Sequence, residues 1–212
     1  MNNFENIQWA QVPFGPFVMK IKLPNYIIDR LHEDGKKKLK SYHKKLAGHI
    51  KTQLVYERET MEWFYSETTD VWNCYRENNC KFHGEENYQV ELEAHDLWVN
   101  FMKPGDFNPV HTHGGDISFV IFVDVPNELK KEAEEFEGTG IKPGCLSFEF
   151  TQQARPKWAI TGQSTIPETG DMYIFPAMLQ HWVCPFKSKV TRISVSGNLR
   201  IDNKDKLPHD YF

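Results

Sequence analysis

Two textures of hydrophobic spacing divide this chain. Up to about residue 82, apolar positions recur every three or four residues, the period of a helix face. Pro24-Asn25 stands before Tyr26-Ile-Ile-Asp-Arg-Leu31, with Ile27, Ile28 and Leu31 on one side. A first helix is expected there, ended by Gly35 and the run Lys36-Lys37-Lys38. Leu39, Tyr42, Leu46 and Ile50 keep the same interval and predict a second helix. A third is expected through Asp70 to Tyr75, beside the aromatic residues Trp63, Phe64, Tyr65 and Trp72, which read as core. The lysine run reads as a solvated helix face.

From about Tyr88 the spacing changes to short apolar or alternating runs. They are Asp96 to Met102, Ile117 to Val125, Cys145 to Phe150, Trp158 to Ile160, Asp171 to Phe175 and Val190 to Ser196. Pro104-Gly105, Gly114-Gly115, Pro143-Gly144 and Glu168-Thr-Gly170 separate them. Short strands between such turns predict a mainly β sandwich or barrel. The charged insert Asn127 to Gly140 predicts a helix and a glycine-ended loop, read equally well as a surface connection or as a lid. The organisation expected is one domain, with residues 1–87 as mostly helical support, 88–201 as the β core and 202–212 as a tail.

Composition narrows the class. The chain has 212 residues, 40% of them hydrophobic, so it holds a real core. A net charge of −4 offers no basic surplus for nucleic acid or an anionic membrane, and neither is expected as a partner. No apolar run approaches about 20 residues, and Met1 to Ile7 lacks the regions of a secretory signal. Cys74, Cys80, Cys145 and Cys184 form no CxxC pair and read as reduced thiols of a cytoplasmic protein. Cys184 lies three residues after His181, as a packed small side chain or a redox-sensitive one.

The chemistry concentrates in Asn108-Pro-Val-His111-Thr-His113-Gly-Gly-Asp116. Two imidazoles two residues apart face the same side of an extended chain. His181, after the run Met172 to Phe175 and the turn at Pro176, is placed to complete a facial metal site. Imidazole suits first-row metals such as Fe(II), Mn and Zn. Asp116 is the alternative ligand, through a bulge at Gly114-Gly115, or else accepts a ring N–H. The other six histidines, His32, His43, His49, His83, His95 and His209, have no such company. Arg192 lies between apolar residues in a strand that reads as buried. It is expected to hold either an acidic ligand or an Asp or Glu of the protein.

Trp98-Val-Asn100, Pro104-Gly105, Asn108-Pro, His111-Thr-His113, Gly170-Asp-Met-Tyr-Ile-Phe-Pro176, His181 and Arg192-Ile-Ser-Val-Ser196 occur in that order. The series resembles small 2-oxoglutarate/Fe(II)-dependent dioxygenases, in particular the prolyl-hydroxylase-like group of bacterial and viral oxygenases, over roughly residues 95–201. The resemblance implies a double-stranded β-helix (jelly-roll) core, with helices before it as support. It implies Fe(II), 2-oxoglutarate and O2, with ascorbate as reductant. It implies hydroxylation of an unactivated C–H bond, most simply on a prolyl residue of a peptide or protein, in a bacterial or virus-infected cytoplasm. His181 would be the distal metal ligand, and Arg192 with Ser194 would bind the 2-oxoglutarate C5 carboxylate. Asn100 would hydrogen-bond the same molecule, while Trp182, Asn198 and Trp158 would shape the substrate entrance. The departure is at His113, where the family has a carboxylate.

Gly105, His111-x-His113, Gly170, Pro176 and His181 also resemble the two cupin motifs. That match lacks the cupin glutamate, and it has Met178 for glycine and Pro185 for asparagine. The competing functions are therefore a cupin-type metalloenzyme acting on a small molecule and a non-catalytic jelly-roll binding module. Oligomeric state leaves no trace in the sequence.

Overall fold

The computed structural model describes residues 15–150 and 161–202. Its elements in order are β1 (Met19–Lys22), α1 (Asn25–Gly35), β2 (Lys40–Ser41), β3 (Thr52–Val55), α2 (Arg58–Glu67), α3 (Thr69–His83), β4 (Leu92–Met102), β5 (Asn108–His111), β6 (Ile117–Asp124), α4 (Asn127–Glu134), β7 (Leu146–Glu149), β8 (Gly162–Thr165), β9 (Asp171–Pro176), β10 (Gln180–Val183) and β11 (Arg192–Ile201). The strands form two antiparallel sheets. One has the order β1-β9-β6-β11-β4-β3-β2, the other β5-β10-β7-β8.

The large sheet is apolar on both faces, which explains why its strands read as nearly continuous hydrophobic runs. In β6, Ile117, Phe119, Ile121 and Val123 join Ile193 and Val195 of β11 and Met172 and Ile174 of β9 in a core under the helices. Ile27, Ile28 and Leu31 of α1, Phe64 of α2 and Trp72 of α3 complete that layer. Phe119 packs against Phe64 and Trp72 at ring distances of 5.6 and 5.2 Å. The alternate residues, Met102, Phe122, Tyr173 and Phe175, join Leu146, Phe148 and Val183 of the small sheet in a second core. Phe148 meets Phe175 at 5.0 Å, ring to ring, between the sheets.

The helix expected over Leu39 to Ile50 does not form. That stretch is β2, a 3-10 turn at His43–Lys45, and a loop leading to β3. Tyr42 N–H donates to Gln53 O and Tyr42 Oη to Asp96, so tertiary partners take groups a helix would have used internally. The aromatic region before Asp70 is a separate helix, α2, and α3 runs on to His83. There Gly84 at φ +73° closes it with Glu85 N–H on Cys80 O, a left-handed stop that favours glycine. The strands β1, β3 and β8 carry too few residues to stand out in the pattern. The run Trp158 to Ile160 lies outside the described residues.

The charged insert forms helix α4, which buries Leu129 and Ala133. Glu132 accepts from the N–H groups of Lys187 and Ser188, both at 2.8 Å. None of α4 lines the cavity described below. No helix among the described residues is long and apolar enough to cross a membrane.

Candidate metal centre

His111 and His181 are directly opposed in the antiparallel pairing of β5 with β10, which puts both rings on one face. Their centroids are 4.2 Å apart. His113 lies just past the end of β5. Its N–H donates to Ala177 O at 2.9 Å, and Ala177 N–H donates to Asp116 O at 3.0 Å. This backbone staple, with Gly115 at φ +101°, returns the third ring to within 4.9 Å of His111 and 5.0 Å of His181. One nitrogen from each of the three lies within 4.8 Å of the others.

The protonation of the cluster suits a cation. His111 Nδ1 donates to Pro109 O at 2.7 Å and His181 Nδ1 to Leu179 O at 2.9 Å. A carbonyl only accepts, so the ring proton belongs on Nδ1 and the Nε2 lone pair is left for a metal. Burial, then the neighbouring His111, pushes His181 down to about 3 and His113 down to about 4. Burial lowers His111 as well. Near neutral pH the cluster is three uncharged imidazoles, the form that binds metal.

Arg192 lines the same cavity as the three histidines, between the two sheets. It is only 2% exposed. Its Nη1 donates to Gly144 O at 2.9 Å, Nη2 lies 2.9 Å from Met102 Sδ, and the guanidinium stands 5.3 Å over the Phe122 ring. Nε has no partner among the described residues, and none of its ion pairs there is with a carboxylate. Burial brings its pKa down to about 10. A buried cation without an anion is costly, and it fits an acidic molecule bound from outside. Three neutral nitrogen donors fit a divalent first-row metal, and this guanidinium fits a carboxylate.

Ser194 and Asn100 are buried and line the cavity beside Arg192. The other expected residues go elsewhere. Asp116 is not in the cluster; its Oδ2 accepts from Ile201 N–H at 2.9 Å, and the ring protons of His111 and His181 go to backbone carbonyls instead. Trp182 alternates with His181 along β10 and does not line the cavity. Asn198 is held by the Ser118 hydroxyl at 2.6 Å, away from the lining. Trp158 lies outside the described residues. Burial raises the Cys184 thiol, against thiolate reactivity. Missing from the sequence reading were Gln53 on β3 and the loop from Leu46 to Ile50, which also line the cavity. The alternation in Thr52-Gln-Leu-Val55 was their only signal.

Residues 96–198 match the model of a family described as "Putative 2OG-Fe(II) oxygenase". Curated protein sequences gave no match. Among solved structures, the chain is similar to the viral collagen prolyl hydroxylase vCPH from Paramecium Bursaria Chlorella virus-1, in its 2OG complex. Identity is 17% and the TM-score 0.55, covering 90% of this chain and 99% of that one. A Pseudomonas putida prolyl-4-hydroxylase gives 14% identity and a TM-score of 0.53, covering 88% and 93%. A Trichoplax adhaerens prolyl hydroxylase, solved with a hypoxia inducible factor oxygen degradation domain peptide fragment, gives 12% and 0.53, covering 91% and 87%. At these identities the likeness is one of fold.

Proposed function

We propose, from the membership of residues 96–198 in the 2OG-Fe(II) oxygenase family, that this chain hydroxylates an unactivated C–H bond, most simply on a prolyl residue of a peptide or protein. Its two sheets are then the halves of a jelly-roll, and residues 1–212 are one oxygenase domain with the helices as support. His111, His113 and His181 hold Fe(II). Arg192 and Ser194 hold the C5 carboxylate of 2-oxoglutarate, with Asn100 beside them. Once bound, Fe(II) and 2-oxoglutarate supply the oxidising power to insert one atom of O2 into the C–H bond, with succinate and CO2 as co-products.

The observation that carries this reading is Arg192, a buried cation with no carboxylate partner among the described residues, in the cavity of the histidine cluster. The chain's own residues bind and orient. The guanidinium would fix one end of the acid by charge and hydrogen bonding. The three histidines would hold the metal and leave further coordination positions open. Phe122, Leu146 and Phe175 keep that region apolar and strengthen each charge interaction inside it. The prolyl substrate is supported by the fold shared with the viral, bacterial and Trichoplax prolyl hydroxylases.

The test is succinate formation from 2-oxoglutarate by anaerobically purified protein with Fe(II) and ascorbate, with and without proline-rich peptides. Turnover above a metal-only blank, lost in Arg192→Met, with one oxygen atom added to a peptide, is expected. A second reading is favoured by His113, which stands where the family has a carboxylate. A cupin-type metalloenzyme acting on a small molecule would need His113 but not Arg192. Metal-dependent activity that ignores 2-oxoglutarate and survives Arg192→Met would establish it.

A further inference from the structure

Three strands of the large sheet place a polar row across the floor of the cavity. The register sets Gln53 of β3 opposite Asn100 of β4, and Asn100 opposite Ser194 of β11. Gln53 is 1% exposed. Its Nε2 donates to Asn100 Oδ1 at 2.8 Å. Asn100 Nδ2 is then shared between Ser194 Oγ and Ser196 Oγ, each at 3.4 Å, and the Ser194 carbonyl at 3.5 Å. The remaining atom, Gln53 Oε1, is buried without a partner among the described residues.

The row has a direction. A carboxamide offers donors on one side and an acceptor on the other, whereas a hydroxyl adopts whichever role its neighbour leaves. The Ser194 carbonyl can only accept, so it favours the Asn100 amide, not its oxygen, on that side. Gln53 acts from the other end by occupying Asn100 Oδ1 with an N–H. Both serine hydroxyls are thereby made acceptors toward Asn100, and each keeps its own proton to give elsewhere. Gly48 of the covering loop lies beside the Gln53 amide, where a Cβ would stand 3.2 Å from Nε2.

We infer that Gln53 is a positioning residue for the acidic co-substrate. By orienting Asn100 it leaves the Ser194 hydroxyl free to donate to the carboxylate that Arg192 holds. This rests on the reading of the site as a 2-oxoglutarate site. Without the Gln53 N–H, Asn100 is free to turn its oxygen toward the hydroxyls, which then spend their protons on Asn100 and not on the ligand.

The test is a double-mutant cycle on the Mn(II)-loaded protein under nitrogen, with the Kd of 2-oxoglutarate read by calorimetry for wild type, Gln53→Met, Ser194→Ala and the double variant. Gln53→Met keeps the length of the side chain and removes its donor. Loss of one oriented hydrogen bond to a charged ligand is expected to raise Kd about five-fold or more. In the Ser194→Ala background the same substitution should change Kd less than about two-fold, because no hydroxyl remains to orient. Mn(II) affinity should be equal in all four proteins, which a general disturbance of the site would not allow. Should Gln53→Met fail to fold, Gln53→Leu carries the same cycle, since it is uncharged and likewise has no N–H. Equal fold-changes in both backgrounds, or none in either, would overturn the inference while leaving the 2-oxoglutarate site intact. A Ser194→Ala variant that binds as wild type does the same. Failure of the wild-type protein to bind 2-oxoglutarate would instead remove the functional reading itself.

Discussion

Replacing Arg192 with methionine should leave the ligand-free protein as stable as before, or more stable, while abolishing co-substrate binding. Arg192 is 2% exposed and has no carboxylate partner among the described residues. The lowering of its pKa by burial to about 10 corresponds to a cost of about 3 kcal/mol for holding the charge inside the protein. Because the folded value lies below the unfolded one, that cost is fully present at pH 7 and is relieved only as pH rises past 10. Methionine removes the charge and fills most of the volume beside Met102 and Phe122. Against that stands the hydrogen bond to Gly144 O, worth about 1.5–3 kcal/mol for a charged donor. The balance is about 0–1.5 kcal/mol in favour of the variant. In a chain of this size that moves Tm upward by at most about 6 °C. With Mn(II) and saturating 2-oxoglutarate the wild type should gain in Tm and the variant should not, because a buried ion pair that loses one partner weakens by about 3 kcal/mol or more, at least about 100-fold in Kd. Differential scanning calorimetry with and without ligand measures both effects. A drop of more than about 5 °C in the ligand-free variant would make Arg192 a structural residue and refute the reasoning.

Asp34 accepts from Lys37 Nζ at 2.6 Å and Thr60 Oγ1 at 2.7 Å; burial pulls its pKa up, but these partners outweigh it and hold the carboxyl below its usual range. Its contribution is present above the unfolded value near pH 4 and lost as pH falls through the lower folded value, so Asp34→Asn should cost about 1 kcal/mol at pH 7 and flatten the acid limb of a urea-stability profile, and an unchanged acid limb would contradict this. Asp116→Asn should leave Mn(II) affinity within about two-fold of wild type, whereas His181→Ala should lower it by about 100-fold or more; the reverse order in a metal titration would reinstate Asp116 as the ligand. Trp182→Ala should leave the Kd of 2-oxoglutarate unchanged within about two-fold, and a larger change would place that ring at the cavity after all.

The sequence by itself determined what depends on local period and on residue chemistry. The β texture after Tyr88, the helix over Ile27 to Leu31, the triplet of histidines and an arginine in a buried-looking strand are all legible there, because alternation and residue type survive any arrangement of the strands. The resemblance added a family and an order of motifs, and the match over residues 96–198 bears it out. What the tertiary structure decided is what lies between distant segments. Leu39 to Ile50 has the period of a helix, but its groups pair with Gln53 and Asp96 and it becomes a covering loop. Asp116 and Asn198 carry plausible ligand chemistry, but each is engaged by a neighbour, Ile201 N–H or the Ser118 hydroxyl, and neither faces the histidines. Gln53 enters the site only because β3 pairs with β4 in one register. A single-residue slip would turn its amide to the helix face, and no pattern within four residues of strand records which register wins.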